Sequence, residues 1–158
     1  MVFVQFTSSQ NIIDVDPSQI ETIVARILED KQVNCDEVSI HFASIEEITE
    51  MHGEFFDDPT PTDCITFPID DSEEEEFYKV LGEVFVCPEV ALNYSQENQL
   101  PFEEELTLYI VHGLLHLLGY DDIEDEDRVQ MRKQEALLMR LLVSEDLIIK
   151  KQIKANNS

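Results

Sequence analysis

His112 and His116 stand four residues apart, and the segment that follows them carries Asp121, Asp122, Glu124 and Asp125. On a helix, side chains four residues apart lie one above the other on one face, so both imidazoles reach a single ion. Gly119, three residues beyond His116, stops such a helix and lets the chain return a carboxylate to the same place. Two imidazoles and one carboxylate leave the fourth position of a tetrahedral zinc for water, the pattern of a catalytic rather than a structural site. Residue types alone leave all four carboxylates open as the third ligand.

The same histidine spacing occurs in zinc metalloproteases, whose motif places a glutamate directly after the first histidine as general base. Here that position is Gly113. The helix is therefore zincin-like in its metal-binding pattern but not in its base, which argues against peptide hydrolysis by that route. Phosphodiester hydrolysis stays open, because a metal ion both activates water and offsets charge on a phosphoryl oxygen. No general base can be assigned from the sequence, so the catalytic group proposed is the water on the metal.

The elements around these residues are legible from periodicity and capping. Val2 to Phe6 predicts a strand, and Asp16-Pro17 opens a helix whose Ile20, Ile23, Val24, Ile27 and Leu28 recur at helical spacing. Glu37 to Ala43 alternates as a strand with Val38, Ile40 and Phe42 on one face. Ser44 and Glu47 form a capping box ahead of Ile45, Ile48, Met51 and Phe55. His41 and His52 fall on polar sides and read as plain surface histidines. Asp57 to Thr62 is a turn, Asp63 to Phe67 and Gly82 to Cys87 are strands, and Asp70 to Glu76 is an acidic loop. Pro88 starts a short helix, Phe102 to Leu118 is the long metal helix, and Glu124 to Ser144 is a last helix packing through Val129, Leu137, Met139 and Leu142. Four short strands with four or five helices predict an α+β fold with the long helix on a small sheet. Residues 1–150 are expected to form a single metal-dependent hydrolase domain, and 151–158 a polar C-terminal tail.

Composition narrows the function. Thirty-five acidic residues against ten basic ones give a formal charge of −25, so a protein of this composition repels polyanions unless a local basic region intervenes. Arg128, Arg132, Lys133 and Arg140 on the last helix, with Lys150, Lys151 and Lys154 after it, are the one such clustering. No apolar run approaches the ~20 residues of a membrane span, and the N-terminus lacks the pattern of a secretory signal, which points to the cytoplasm. Cys35, Cys64 and Cys87 are odd in number and widely spaced, as reduced thiols in apolar elements are.

The metal run His112-Gly113-Leu114-Leu115-His116-Leu117-Leu118-Gly119-Tyr120-Asp121-Asp122, the block Pro61-Thr62-Asp63-Cys64-Ile65-Thr66-Phe67-Pro68 and the block Leu81-Gly82-Glu83-Val84-Phe85-Val86-Cys87-Pro88 together resemble the YbeY family of bacterial ribosomal-RNA maturation factors. The likeness runs from roughly the second strand to Met139. It implies a small mixed sheet of four strands and a zinc-dependent endoribonuclease (a hydrolase of phosphodiester bonds). Such an enzyme prefers single strands and acts in small-subunit ribosomal RNA processing and ribosome quality control. The implied cofactor is one zinc ion, and the implied partners are ribosomal RNA with ribosomal proteins or assembly factors, not DNA and not a membrane.

Carried over by position, His112 and His116 match the family's first two metal ligands, and its third histidine falls on Asp122. That exchange lowers the charge of the site by one and makes bound water less acidic. Phe56 stands near a loop position where the family often has an arginine able to contact phosphate. Glu83 replaces a usual aspartate and, like Asp63, reads as structural support. The alternative from another class is a ribosome-assembly or adaptor protein that keeps a structural metal and has weak or no nuclease activity.

Overall fold

Asp16 accepts a hydrogen bond from the Ser18 backbone N–H at 3.0 Å and Pro17 follows it, so the first helix starts where its cap is. The computed structural model describes residues 2–69 and 78–151. Its elements are β1 (Phe3–Ser8), α1 (Pro17–Asp30), β2 (Glu37–Phe42), α2 (Ile45–Phe56), β3 (Cys64–Pro68), β4 (Val80–Val86), α3 (Pro88–Asn98), α4 (Phe102–Leu117) and α5 (Asp125–Ser144). The strands form one sheet in the order β1-β2-β4-β3, in which β1, β2 and β4 run parallel and β3 is antiparallel to β4. The α+β expectation, with a mixed four-stranded sheet and five helices, matches this architecture. The acidic run from Asp70 and the tail beyond Lys151 lie outside the described residues.

The alternation seen in the sequence becomes the sheet's inner face. Val38, Ile40 and Phe42 of β2 are fully buried, and Val84 and Val86 of β4 stand beside Ile40 and Phe42 in register. Ile20, Ile23, Val24 and Ile27 of α1 join the same core, as do Leu106, Ile110, Leu114 and Leu115 of α4. A smaller cluster gathers Ala43, Ile48, Ile65 and Cys87. In α2, Ser44 caps as expected by accepting from the Glu47 N–H at 3.1 Å, while the Glu47 carboxylate takes the Ser9 hydroxyl. Only Ile48 of the expected apolar stripe is fully buried; Phe55 lies exposed at the end of the helix.

Helix α5 departs from the expected packing face. Val129 and Leu137 are exposed, and the buried residues are Met131, Glu135, Leu138 and Leu142. This helix has apolar residues on more than one side, so its phase is set by what α4 offers it rather than by its own hydrophobicity.

Gly113 explains why this helix lacks the protease glutamate. Helix α4 packs on β3 and β4 so closely that a Cβ at 113 would overlap Val84 and lie 2.9 Å from the Cys64 sulfur. No side chain of any size fits. A Gly113→Ala variant gains about 1 kcal/mol of helix propensity but overpacks the core by about 1–3 kcal/mol. We expect a net loss of up to about 2 kcal/mol in urea unfolding of the metal-free protein; a gain in stability would mean that β4 yields freely.

Candidate metal centre

The C-terminal half of α4 places His112 and His116 one turn apart on one face of the helix, beside Cys64, Ile65 and Thr66 of β3. Their Nε2 atoms lie 3.1 Å apart. Gly119 adopts φ 99°, a conformation that side-chain-bearing residues rarely take, and the Tyr120 N–H then donates back to the Leu115 carbonyl at 3.0 Å. Tyr120 packs against the core, and the chain leaves it directed toward the histidines. Asp122 Oδ2 comes to 3.6 Å from His112 Nε2 and 3.5 Å from His116 Nε2.

These three atoms make a nearly equilateral triangle. An ion with tetrahedral bonds of about 2.0–2.1 Å needs ligand atoms about 3.3–3.4 Å apart, so the triangle has the size that a zinc-like ion requires. Among the described residues this is the group of histidines and carboxylates with the geometry to hold a metal.

The structure sorts the four carboxylates that the sequence left open. The Asp121 carboxylate accepts from the Asp122 N–H at 2.7 Å, so it closes its own turn. Glu124 occupies the N-cap position of α5. Asp125 is engaged by Arg128, whose guanidinium also donates to the Ile123 carbonyl at 2.7 Å and tethers the loop to α5. Asp122 alone of the four points at both histidines.

One residue of this centre escaped the sequence reading. Glu135 of α5 is 6% exposed, and its Oε2 lies 2.6 Å from His112 Nδ1. With Nδ1 donating to that carboxylate, Nε2 keeps its lone pair toward His116 and Asp122. Burial works against charge on His112, but the hydrogen bond and charge of Glu135, aided by Asp63 and Asp122, outweigh it and hold the imidazole pKa above its ordinary value. The available signal was a glutamate in step with Met131, Leu138 and Leu142, where a packing residue belongs.

A cavity of about 660 Å³ opens beside the triangle. His112, Asp122 and Glu135 line it, and so do Asp63, Tyr94, Glu105, Tyr109, Arg128 and Arg132. Burial raises the Glu105 carboxyl pKa despite a hydrogen bond from Tyr109. Two of the basic residues noted in the sequence thus reach the site, whereas Lys133 and Arg140 are exposed elsewhere on α5.

A second pocket of about 210 Å³ lies on the other side of the histidines, between His52, Phe56, Cys64, Ile65 and Thr66. His52 is therefore not a plain surface residue: Nδ1 is 2.8 Å from the Thr60 carbonyl, and its ring faces Phe56 with centroids 5.8 Å apart. Nor is His41, whose Nε2 lies 3.1 Å from Glu83 Oε1 and whose ring stacks on Phe85. Glu83 thus belongs to a polar group on the sheet, while Asp63 stands at the cavity and its carbonyl accepts from the Cys87 N–H at 3.1 Å. The three cysteines are unpaired, and burial raises the pKa of each thiol.

Fold and site together define an α+β protein with a histidine-helix centre whose His112, His116 and Asp122 could hold a metal ion. The family model described as Endoribonuclease YbeY matches residues 5–143, so the chain belongs to the YbeY family. Among curated relatives, the Endoribonuclease YbeY of Protochlamydia amoebophila is 41% identical over 150 residues, covering 95% of this chain and 99% of its own. That of Chlamydia muridarum is 38% identical over 144 residues, covering 90% and 89%. The solution structure of TM1509 from Thermotoga maritima superposes with a TM-score of 0.64 at 26% identity, covering 90% of this chain and 91% of that one. The family resemblance read from the three sequence blocks is borne out.

Proposed function

We propose that this chain is a metal-dependent endoribonuclease that cuts single-stranded RNA during maturation of small-subunit ribosomal RNA and in ribosome quality control. The observation that carries the reading is the triangle of His112, His116 and Asp122 at the wall of a nucleotide-sized cavity, in a chain whose relatives are named endoribonucleases. Residues 1–150 act in this reading as one hydrolase domain that works on ribosomal RNA in the cytoplasm, beside ribosomal proteins or assembly factors. No helix among the described residues is long and apolar enough to cross a membrane.

His112, His116 and Asp122 hold the ion, and one zinc suits the imidazole and carboxylate donor set. When bound, the ion supplies Lewis acidity toward a phosphodiester oxygen and lowers the pKa of water. Glu135 keeps His112 in the tautomer that presents Nε2. Arg128 holds the Asp122 loop in place through the carbonyl of Ile123. Three protein ligands, rather than the four of a structural zinc site, favour catalysis over an adaptor with a metal kept for stability.

The test is removal and return of the metal. Protein stripped with a chelator should leave a single-stranded ribosomal RNA fragment intact, and added zinc should restore cutting. Asp122→Ala should lose bound zinc while Asp121→Ala keeps it, measured on protein purified in parallel. Loss of metal from the Asp121 variant alone would show the third ligand to be misassigned, and cleavage indifferent to metal would overturn the function.

A further inference from the structure

A chain with 35 acidic and ten basic residues must bring an RNA phosphate to its metal past a repulsive surface. Phe56, near the loop position where the family often has an arginine, has no cation to offer and lines the smaller pocket. The cations near the site come instead from α5. Arg128 is occupied: it donates to the Ile123 carbonyl and pairs with Asp125. Other basic side chains are engaged as well: Arg26 with Glu29 and Glu145, Lys31 with Gln134, Lys150 with Asp146. Arg132, one turn beyond Arg128, lines the cavity that His112 and Asp122 also line, is exposed, and makes no hydrogen bond or ion pair among the described residues.

The same cavity is lined by Tyr94 and Leu100, both large apolar side chains left 46% exposed. An exposed aromatic ring and an unpaired guanidinium lining one cavity offer what a single-stranded nucleic acid requires: a face for a base and a charge for the backbone. The volume of about 660 Å³ suits one nucleotide, since small-ligand sites run to about 300–1,000 Å³.

We infer that Arg132 and Tyr94 form the subsite for the nucleotide next to the cleaved bond, Arg132 holding its phosphate and Tyr94 stacking on its base. This rests on the endoribonuclease reading and adds to it a reason for single-strand selection. Stacking on Tyr94 needs an unpaired base, and a duplex would press its second strand of phosphates against Asp63, Glu105 and the acidic surface beyond.

The experiment is fluorescence anisotropy of a short, labelled, single-stranded 2′-O-methyl RNA with the zinc-loaded protein over a range of salt. Arg132→Gln should weaken binding by about tenfold and flatten the dependence of log affinity on log salt by about 0.7, the share of one phosphate on a single strand. Arg132→Lys should restore the slope. Tyr94→Ala should weaken binding by about tenfold with the slope unchanged, because stacking releases no counterion. Lys133→Gln, on the neighbouring residue outside the cavity, should alter neither. Arg132→Gln with the wild-type slope, or Lys133→Gln with an equal loss, would overturn the subsite. If the wild-type protein cuts RNA and Arg132→Gln behaves like it, only the subsite fails; if the wild type neither binds nor cuts, the endoribonuclease reading fails with it.

Discussion

A His116→Ala variant is expected to lose RNA cleavage to background and to hold zinc on the order of 10²-fold more weakly. Structural zinc sites bind with roughly 10–16 kcal/mol spread over four ligands, so each ligand carries about 3 kcal/mol, or about two powers of ten in affinity. With only three protein ligands there is no surplus to absorb the loss. The fold should survive, because His116 lies on the half-exposed face of α4 and alanine is the better helix former by about 0.5 kcal/mol. The comparison is cleavage of the same single-stranded ribosomal RNA by wild type and variant prepared side by side, with circular dichroism confirming equal folding. Equal cutting by both would trace the activity to a contaminating nuclease.

Glu135→Gln should cost about 10- to 100-fold in metal affinity while leaving the metal-free protein folded. The amide oxygen still accepts from His112 Nδ1, so the shape of the contact at 2.6 Å persists and only the charge is lost. That charge makes Nε2 a stronger donor toward the ion, and its removal is worth about 1.4–2.7 kcal/mol at metal saturation. The measurable sign is a smaller rise in melting temperature on adding zinc, taken from the variant's own metal-free melting temperature, because losing the charge also weakens the buried contact with His112 in the metal-free protein. A chelator competition giving wild-type affinity would reduce Glu135 to a packing residue.

These two residues differ in how they could be found. His116 is legible because its partner His112 is four positions away, and helix geometry alone brings them together. Glu135 sits 23 positions from His112. Nothing local pairs them; they meet because α5 lies across α4 in one particular phase. The expected face of α5, with Val129 and Leu137 inward, had that phase wrong, and with it the chance to see Glu135. His52 escaped for a related reason: it takes its place in the pocket behind the histidines only where the loop after α2 brings the Thr60 carbonyl to it.

The sequence by itself determined what repeats over a few residues: the caps at Asp16 and Ser44, the buried alternation of Val38, Ile40 and Phe42, and the histidine pair followed by a glycine. Each follows from hydrogen-bonding rules and side-chain periods that act within one or two turns of chain. The tertiary structure alone decided the geometry by which Asp122 faces the histidines while Asp121 closes its turn, that Gly113 has no room for a base, and that Arg132 lines the cavity with no partner among the described residues. Those outcomes depend on the packing of α4 between the sheet and α5, where close-packed side chains from distant segments leave few positions open. The histidine pair could thus be located from its spacing and Asp122 named from the family resemblance, but the hydrogen bond that orients His112 and the cavity beside it belong to the packed molecule.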